Sequence, residues 1–494
     1  MQHQAPSFDV DVIVCGMGAA GESAALAAHD AGAEVLIIEK TETGGGNSLV
    51  SSAMMIYPTQ DASAEQFASY LDEVNRGMTD RSLVDTFVTE LLKNPAWFES
   101  LGGELEVYDY KRADPTISYY IPDVTFSQLP SAQGLKLELR RLKQTATVPE
   151  PTGGSRIWHL LRRAIEARRI RTLMSARVFE VVKDERGRAI GVLAEKDGKQ
   201  VYCRARRGVV LALGGFEYND ELKQQHLTPP SIGGLGNPSN TGDGIAIAQK
   251  AGADMWHMSA EASTLGFRPP DWEAGFALTI RQPGFVYIDS QGDRYLDETR
   301  LEAHNAGVET AAFDLKTYSY PRMPSWVIMD AQNAHGPALA MNIFSYNVVV
   351  KGYRWSEDNS AEIAAGWIQR ATTIDGLAEI IGIPADALAG TLGRYNAYCR
   401  QGVDRDFGRA ANTLKPLEKP YYAMRLMPLM YNTQGGPRRD RDARVLDPDG
   451  YAIPGLYAAG EFGSIWGFRY QTSTNFSEAL IYGRIAGRNA AAEA

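Results

Sequence analysis

The sequence has few of the residues that build disulfide frameworks and metal sites. Its 494 residues include three cysteines, Cys15, Cys203 and Cys399, which lie far apart in the chain. Seven histidines are scattered, and none is spaced from another His, Cys or Asp as metal ligands are. These shortages exclude a disulfide-stapled fold and predict no metal site, and they favour a reducing, cytoplasmic setting.

An excess of basic residues and long hydrophobic runs are also missing. Fifty Lys and Arg residues stand against 60 Asp and Glu residues, a formal charge of −10, which argues against binding to nucleic acid or to an anionic membrane surface. No apolar run reaches membrane-spanning length, and the N-terminus lacks a basic stretch followed by an apolar one. With 44% apolar and 22% charged residues, the composition is globular and allows two or three domains.

The chain does contain a dinucleotide-binding pattern at its start. The apolar run "VDVIVCG" (10–16) predicts a buried parallel strand, "AAGESAALAAHDAG" (19–32) a helix, and "AEVLIIEK" (33–40) a second strand. A GxGxxG turn at 16–21 joins the first strand to the helix, and Glu39 ends the second strand. Such glycines let a pyrophosphate approach the helix N-terminus, and the acid binds a ribose; the alternative is a tight turn that serves packing alone.

A second glycine-rich loop favours FAD over a nicotinamide cofactor. "TGGGNSLVSSAMM" (43–55) directly follows the ribose acid, and a nicotinamide enzyme needs no further cradle of glycines and hydroxyls there. Two later apolar runs, in "LALGGF" (211–216) and "LYAAGE" (456–461), also end in small residues, and Glu461 is placed to hold a ribityl hydroxyl. The sequence therefore predicts FAD.

The order of these segments predicts an interrupted nucleotide-binding domain. Residues 258–412 are richer in aromatics and prolines, whereas "DARVLDPDGYAIPGLYAAGE" (442–461) returns to strand, turn and strand. We predict an α/β fold in which a Rossmann-like FAD-binding domain (1–257 and 413–494) is interrupted by an α+β substrate or capping domain (258–412).

Four segments resemble a known family. "ARRGVVLALGGFEYND" (205–220), "NTGDGIAIAQKAGAD" (240–254), "IPGLYAAGE" (453–461) and "EALIYGRIAG" (478–487) are similar to the fumarate reductase/succinate dehydrogenase flavoprotein superfamily. The resemblance covers nearly the whole chain and is closest to the 3-ketosteroid dehydrogenases, particularly the Δ4-(5α) branch. It implies an FAD domain of the glutathione-reductase type. It also implies noncovalent FAD, because the loop "GGGNSLVSS" contains no His.

The motifs and the resemblance together give a set of predicted FAD contacts. Most of them lie in the GxGxxG turn, in the second glycine-rich loop and at the ends of the later strands. The set is Gly16, Gly18, Ala19, Ala20, Gly21, Glu39, Lys40, Gly46, Asn47, Ser48, Ser52, Ala53, Val178, Ala212, Gly214, Asp243, Gly460, Glu461 and Leu480.

The loop before the last predicted helix, "GSIWGFRYQTSTNF" (463–476), is bulky where a solvent-exposed loop would be small and polar. In the Δ4 ketosteroid dehydrogenases this loop reads Tyr-x-Ser, and here it reads Tyr470-Gln471-Thr472. The resemblance implies that it lies at the substrate face of the flavin. There the phenol and the hydroxyl would bind a ketone oxygen and stabilise an enolate. The alternative is that Tyr470 packs a seam between domains.

Two further stretches are candidates for proton transfer. "TISYYIPDV" (116–124) resembles a segment of the ketosteroid dehydrogenases in which a tyrosine assists proton removal, with Tyr120 the better candidate and Tyr119 the second; the alternative is an exposed aromatic loop. "GDRYLDETRLEAHNAG" (292–307) resembles the superfamily stretch GxRFxNE, which is followed by an acid/base residue, Arg in fumarate reductases and Tyr in ketosteroid dehydrogenases. The residues left open for this role, beside a plain solvated helix face, are Leu301, Glu302, Arg300, His304, Tyr318 and Tyr320.

The substrate prediction follows from the departures from the fumarate reductases. Asn432 stands where those enzymes have a substrate-binding His, and Tyr470 where they have a carboxylate-binding Arg. This argues against a dicarboxylate, although Arg469 keeps a monocarboxylate open.

We predict an oxidoreductase that acts on CH–CH bonds next to a carbonyl, as a 3-ketosteroid or cyclic-ketone dehydrogenase does, with the α proton going to a side chain and the β hydride to flavin N5. One alternative is an ene-reductase that saturates an activated C=C bond, and another is a flavin-binding protein without turnover. The chain has no CxxCH haem-attachment motif, so a separate electron acceptor or donor is expected. No feature of the sequence predicts the oligomeric state.

Overall fold

The computed structural model describes residues 5–59, 63–109, 125–150, 152–229, 232–302 and 304–493. Its largest sheet has eight strands, and the first strand, Phe8–Cys15, pairs in parallel with Val35–Ile38 and with Lys199–Leu211. From edge to edge the strands are Arg444–Leu446, Ala452–Ala458, Lys199–Leu211, Phe8–Cys15, Val35–Ile38 and Arg171–Leu173, with the hairpin Arg177–Lys183 and Ala189–Lys196 attached to Lys199–Leu211. The run from Val12 to Cys15 is fully buried, as expected of a parallel strand covered on both faces.

Helices cover both faces of this sheet. The first helix, Ala19–Asp30, packs against the final helix, Asn475–Ala492, on one face, and Asp243–Ala251 covers the other. The two long helices approach closely because glycines face the contact: a Cβ at Gly487 would lie 2.0 Å from the carbonyl oxygen of Ala24. The other helices of this half are Gly46–Val50, Ala64–Asn75, Arg81–Leu91, Asn94–Ser100, Gly153–Ala167 and Asp220–His226.

A small antiparallel sheet lies beside this half. Met55–Pro58 pairs with Leu137–Leu142, which in turn pairs with Leu105–Val107. The backbone N–H of Ile56 donates to the carbonyl of Ser473 at 3.1 Å. This bond ties the small sheet to the loop that precedes the final helix.

A second, seven-stranded sheet is built around one long strand, Tyr421–Thr433. In order, the strands are Phe276–Ala277, Glu261–Phe267, Tyr421–Thr433, Ser325–Met329 and Phe285–Ile288, with Gly233–Gly234 and Gln369–Ala371 also paired to Tyr421–Thr433. A separate two-stranded pair joins Met255–Trp256 to Gly436–Pro437. Our boundary placed 413–494 in the FAD domain, whereas this segment first contributes its long strand to the second sheet and rejoins the first at Arg444–Leu446. The division into domains stays a prediction.

The helices around the second sheet follow local sequence signals. Thr373 caps the helix Ile374–Ile381 by accepting a hydrogen bond from the N–H of Gly376, and the helix ends at Gly382, whose φ is +71°. The other helices of this region are Ala306–Thr310, Ala331–Ala334, Tyr346–Val349, Ser360–Ala364 and Ala385–Gln401. The predicted α/β fold class is confirmed. Within the described part of the chain, no helix has both the length and the apolar character needed to cross a bilayer.

Candidate active site

A cavity of about 390 Å³ runs between the GxGxxG turn and the loop at 463–474, called here the pre-helix loop. Nearly all the predicted FAD contacts line it: Gly16, Gly18, Ala19, Ala20, Glu39, Lys40, Gly46, Asn47, Ser48, Ser52, Ala53, Val178, Ala212, Gly214, Asp243, Gly460 and Glu461. Gly21 instead faces the first strand, since a Cβ there would lie 2.0 Å from the carbonyl oxygen of Gly16. Leu480 is fully buried in the apolar core.

The GxGxxG end fits a pyrophosphate. The first helix begins after Gly18 without a side-chain cap, and Gly18, Ala19 and Ala20 line the cavity. The unpaired N–H groups of such a first turn bind anions, and the helix dipole adds to the attraction. Ser48 accepts a hydrogen bond from the N–H of Ala19 at 3.0 Å, which fixes the second glycine-rich loop over this turn.

Charged residues mark the end of the cavity next to the second strand. Glu39 accepts hydrogen bonds from the N–H of Met17 at 2.9 Å and from the N–H of Thr41 at 2.8 Å, so its carboxylate is held in place. Lys40 and Arg177 both pair with Asp243, at 3.0 and 2.7 Å. Arg177 was not among the predicted contacts, although it lies directly before Val178, which was.

Two carboxyls, the buried Glu217 and the half-buried Glu461, stand beside the middle of the cavity. The amide nitrogen of Asn47 donates to Glu217 at 2.7 Å and to Glu461 at 3.1 Å, and that of Asn240 donates to Glu461 at 2.9 Å. Burial raises the pKa of Glu461 to about 7. Burial, together with the charge of Glu461, also raises the pKa of Glu217 well above its usual range. This pair is therefore expected to retain a proton near neutral pH.

The base of the pre-helix loop is clamped by side chains from distant segments. The carbonyl oxygen of Ile465 accepts hydrogen bonds from Asn75 at 2.8 Å and Thr79 at 2.6 Å, and the side-chain oxygen of Asn75 accepts from the N–H of Gly467 at 2.7 Å. The indole ring of Trp466 packs edge-on against Phe87, with ring centroids 5.3 Å apart. The bulky residues therefore fix this loop rather than fill a solvent-exposed turn.

Tyr470 lies in the cavity wall and is 6% exposed. Its hydroxyl oxygen accepts a hydrogen bond of 3.4 Å from the N–H of Asn475 at the start of the final helix. Burial raises the pKa of Tyr470 to about 12, so the phenol stays protonated at neutral pH. Within the described residues the phenol has no acceptor for its own proton, so Tyr470 can donate a hydrogen bond into the cavity.

Glu302, Thr472 and His304 form a relay next to this phenol. The hydroxyl of Thr472 donates to Glu302, and its oxygen lies 2.9 Å from Nδ1 of His304. Because Thr472 has only one proton and gives it to Glu302, it must accept from Nδ1–H of His304. The neutral imidazole then carries its proton on Nδ1 and a lone pair on Nε2. Of the three, Thr472 and His304 line the cavity, with Glu302 behind them.

Glu302 is ionised in this arrangement. Burial opposes its charge, but the hydrogen bonds from His304, Thr472 and Asn305 outweigh burial and lower its pKa. Asn305 also donates to the carbonyl oxygen of Tyr470 at 3.1 Å, which joins the segment of Glu302 to the pre-helix loop.

A buried ion network positions the relay from behind. Arg294 donates to Glu298 at 2.8 Å and to Asp404 at 3.0 Å, and Arg409 donates to Glu298 at 3.1 Å. All four side chains are at most 1% exposed. The stretch "GDRYLDE" thus anchors the chain immediately before the relay.

The other predicted proton-transfer residues lie elsewhere. Arg300 has a 77% exposed side chain and pairs with Asp297 at 3.5 Å, outside the cavity wall. Leu301 is buried in the apolar core of the second sheet. Tyr318 and Tyr320 pack against Phe313, away from the cavity. Tyr119 and Tyr120 lie outside the described residues.

Thr472 takes a different place from the one predicted for it. Its proton is directed at Glu302, so it is not free to donate to a substrate carbonyl. His304, which the sequence offered only as one substitute among several, contacts Tyr431 and Tyr470 with ring centroids 4.7 and 5.4 Å away. The sequence signal for it was present but weak: a His six residues after Glu298.

Comparison with known proteins identifies the family of this chain. The family model described as FAD binding domain matches residues 11–476. Probable fumarate reductase Ifc3 of Shewanella frigidimarina is 28% identical over 99% of this chain and 76% of its own length. A 3-oxosteroid 1-dehydrogenase of Mycolicibacterium smegmatis is 26% identical over 98% of both chains.

A solved structure shares the fold. The 3-ketosteroid Δ1-dehydrogenase of Sterolibacterium denitrificans, in complex with 1,4-androstadiene-3,17-dione, matches 98% of this chain and 100% of its own with a TM-score of 0.81 at 22% identity. The glycine-rich turn at 16–21 and the helix N-terminus after it fit the pyrophosphate of FAD, the cofactor that the family match requires. The chain therefore belongs to the FAD binding domain family and is an FAD-dependent oxidoreductase of the fumarate reductase superfamily.

Proposed function

We propose that this protein converts a ketone, of the cyclic-ketone or ketosteroid type, to its α,β-unsaturated counterpart. One observation carries the proposal: a phenol donor and an imidazole backed by a carboxylate stand together in the wall of the cavity that holds the FAD contacts. Removing a proton next to a carbonyl requires such a pair, one group for the oxygen and one for the carbon-bound proton.

Tyr470 binds the ketone oxygen in this proposal. As the α proton leaves, negative charge develops on that oxygen, and a buried phenol that stays protonated stabilises it. The N–H of Asn475 at the phenol oxygen orients the hydroxyl and polarises it further.

His304 removes the α proton through Nε2. The imidazolium that forms is stabilised by Glu302, whose carboxylate oxygen lies 3.5 Å from Nδ1, and is oriented by Thr472. The FAD held at this cavity would supply the acceptor for the hydride of the β carbon, and a separate electron acceptor would be needed to reoxidise it. Of the residues predicted for proton transfer, Glu302 acts through His304, and the exposed Arg300 has no role.

A second candidate is the reverse reaction, the saturation of an activated C=C bond. The same residues serve it, with His304 as the acid, and the similarity to a probable fumarate reductase supports it. A flavin-binding protein without turnover has no use for a proton relay beside the cavity, which disfavours the third alternative.

Anaerobic spectroscopy on the FAD-loaded protein tests the proposal. We expect a cyclic ketone to bleach the visible flavin band, since the flavin is reduced in the first half-reaction. Reoxidation of dithionite-reduced protein by an enone, without bleaching by ketones, would replace the proposal with the reductase. No response to either class would overturn both.

Tyr470→Phe tests the role of the phenol. We expect turnover to fall by about 10² to 10³-fold with FAD retained, the loss typical of one oxyanion donor. Tyr451→Phe is the matched control, because Tyr451 is 73% exposed and remote from the cavity wall. Unchanged turnover in Tyr470→Phe would assign Tyr470 to packing.

A further inference from the structure

Two arginines line the end of the cavity that adjoins the pre-helix loop. Arg141 lies on the strand Leu137–Leu142 and lines the cavity together with Leu139, two residues earlier, while Arg156 lies in the first turn of the helix Gly153–Ala167. In the small sheet Met55 pairs with Arg140, and the next residue, Ile56, donates to Ser473. The end of the cavity that Arg141 and Arg156 line, called here the arginine end, is therefore next to the segment that carries Tyr470 and Thr472.

Arg141 is held with part of its guanidinium available. Its Nε donates to Glu106 at 2.7 Å, and the guanidinium lies 4.0 Å from the ring centroid of Tyr108, which also lines the cavity. Within the described residues its two terminal amino groups have no hydrogen-bond partner. A guanidinium that is stacked and fixed through Nε presents these two groups in the geometry that a carboxylate accepts.

Arg156 adds a second positive charge at this end. It is 6% exposed and donates to neutral oxygens, the carbonyls of Glu150 at 2.8 Å and Leu142 at 3.1 Å and the side chain of Gln144 at 3.3 Å. Burial and the nearby charge of Arg141 lower the pKa of Arg156. An anion placed between the two like charges would relieve their repulsion.

The basic residues at the other end of the cavity differ. Lys40 and Arg177 both pair with the same carboxylate, that of Asp243. Arg141 also pairs with a carboxylate, that of Glu106, but through Nε, so its two terminal amino groups are open to a ligand among the described residues.

We propose that the arginine end binds a carboxylate carried by the substrate, so that the substrate is an anionic ketone. Its carboxylate pairs with Arg141, while its carbonyl reaches Tyr470. This proposal rests on the proposed function only for the identity of the reacting carbonyl, and binding alone tests it.

The test compares a cyclohexanone that bears a ring carboxylate with its methyl ester. Kd values for FAD-loaded protein are measured by titration calorimetry, without turnover. We expect wild type to bind the acid more tightly than the ester. Arg141→Gln should weaken binding of the acid by about tenfold or more, the scale of a lost charge-assisted hydrogen bond, and leave the ester unchanged.

Arg140→Gln is the matched control. Arg140 is the next residue on the same strand, but it pairs with Glu138 and lies over the ring of Tyr57. We expect it to change neither Kd. If Arg141→Gln does not fold, Arg141→Lys serves in its place, because lysine keeps the positive charge but lacks the two terminal amino groups of a guanidinium. We expect Arg141→Lys to weaken binding of the acid by a smaller factor and to leave binding of the ester unchanged.

Two results would overturn the subsite: no preference of wild type for the acid over the ester, or an equal loss for both ligands in Arg141→Gln. Tight binding of the acid without flavin bleaching by any ketone would instead support the subsite and contradict the proposed function. The two failures are therefore distinguishable.

Discussion

The two ends of the cavity are built in different ways. The FAD end is made largely of backbone, in short contiguous motifs at 16–21 and 43–53, where glycines bring the chain close to the cofactor. The other end, the proposed substrate end, is made of side chains far apart in sequence, namely Tyr108, Arg141, His304, Tyr470 and Thr472, with Glu302 behind them. Damage at the first end should therefore abolish cofactor binding, whereas damage at the second should abolish chemistry and leave the cofactor in place.

Gly16→Ala should have the largest effect, the loss of FAD binding. Gly16 has a φ of +101°, and a Cβ there would lie 2.1 Å from the carbonyl oxygen of Ala212. Because this carbonyl belongs to the backbone directly after the strand Lys199–Leu211, it cannot move aside without displacing that strand. We expect no FAD in the purified variant, measured by the ratio of flavin to protein absorbance.

Gly32→Ala is the control for backbone strain. Gly32 also has a positive φ, +87°, but a Cβ there meets no atom within 4 Å. The substitution should cost about 1–2 kcal/mol, the price of left-handed backbone for an L-residue, and leave FAD content unchanged. Stoichiometric FAD in Gly16→Ala would contradict the packing argument.

His304→Gln should have the next largest effect and isolate the substrate end. Loss of a general base lowers turnover by about 10² to 10⁴-fold, while the FAD contacts remain. We expect full FAD content and little turnover. Glu302→Gln should show a smaller loss, because that residue acts through His304.

His29→Gln provides the comparison for a histidine outside the cavity. His29 lies in the last turn of the first helix, with a side chain 38% exposed. Its variant should keep the wild-type turnover and pH profile. If His304→Gln retains wild-type turnover, proton transfer belongs to another residue.

The same difference explains what the sequence could predict. The GxGxxG turn encodes its own backbone path, so Gly16, Gly18, Ala19, Ala20 and Glu39 could be placed at the cavity from the sequence alone. Gly21 and Leu480 were assigned to FAD because they stand in the same motifs. The structure uses them to pack the first helix on its strand and the final helix in the core.

The substrate end could be predicted only in part. Tyr470 was found through a bulky loop, but its partners lie about 165 residues earlier in the chain. Counting along "GDRYLDETRLEAH" gave Leu301 or Glu302 as the acid/base position, and His304 was only a substitute candidate. The described residues directly before Ala306 form no regular helix or strand, so their spacing does not show which side chains face the cavity. The strand Tyr421–Thr433 was not predicted. It contains Pro428, and proline is rare inside central strands.

Glu217→Gln should have the smallest effect of these substitutions, and it tests the carboxyl pair beside the middle of the cavity. Glu217 is 1% exposed, and in the described residues its Oε2 has no hydrogen-bond partner, while Oε1 accepts from Asn47. Glutamine keeps that acceptor and carries no charge at any pH. Since the folded pKa of Glu217 is raised, the native state holds a proton that the unfolded chain releases, so stability falls as pH rises above the usual carboxyl value near 4.5.

Thermal unfolding of the FAD-free protein between mildly acidic and mildly alkaline pH measures this slope. We expect Glu217→Gln to melt a few degrees above wild type at the alkaline end, with the difference shrinking as pH falls. Glu185→Gln, in an exposed turn, should leave the slope unchanged. A constant difference across the pH range would mean that the benefit comes from packing and not from the titration of Glu217 beside Glu461.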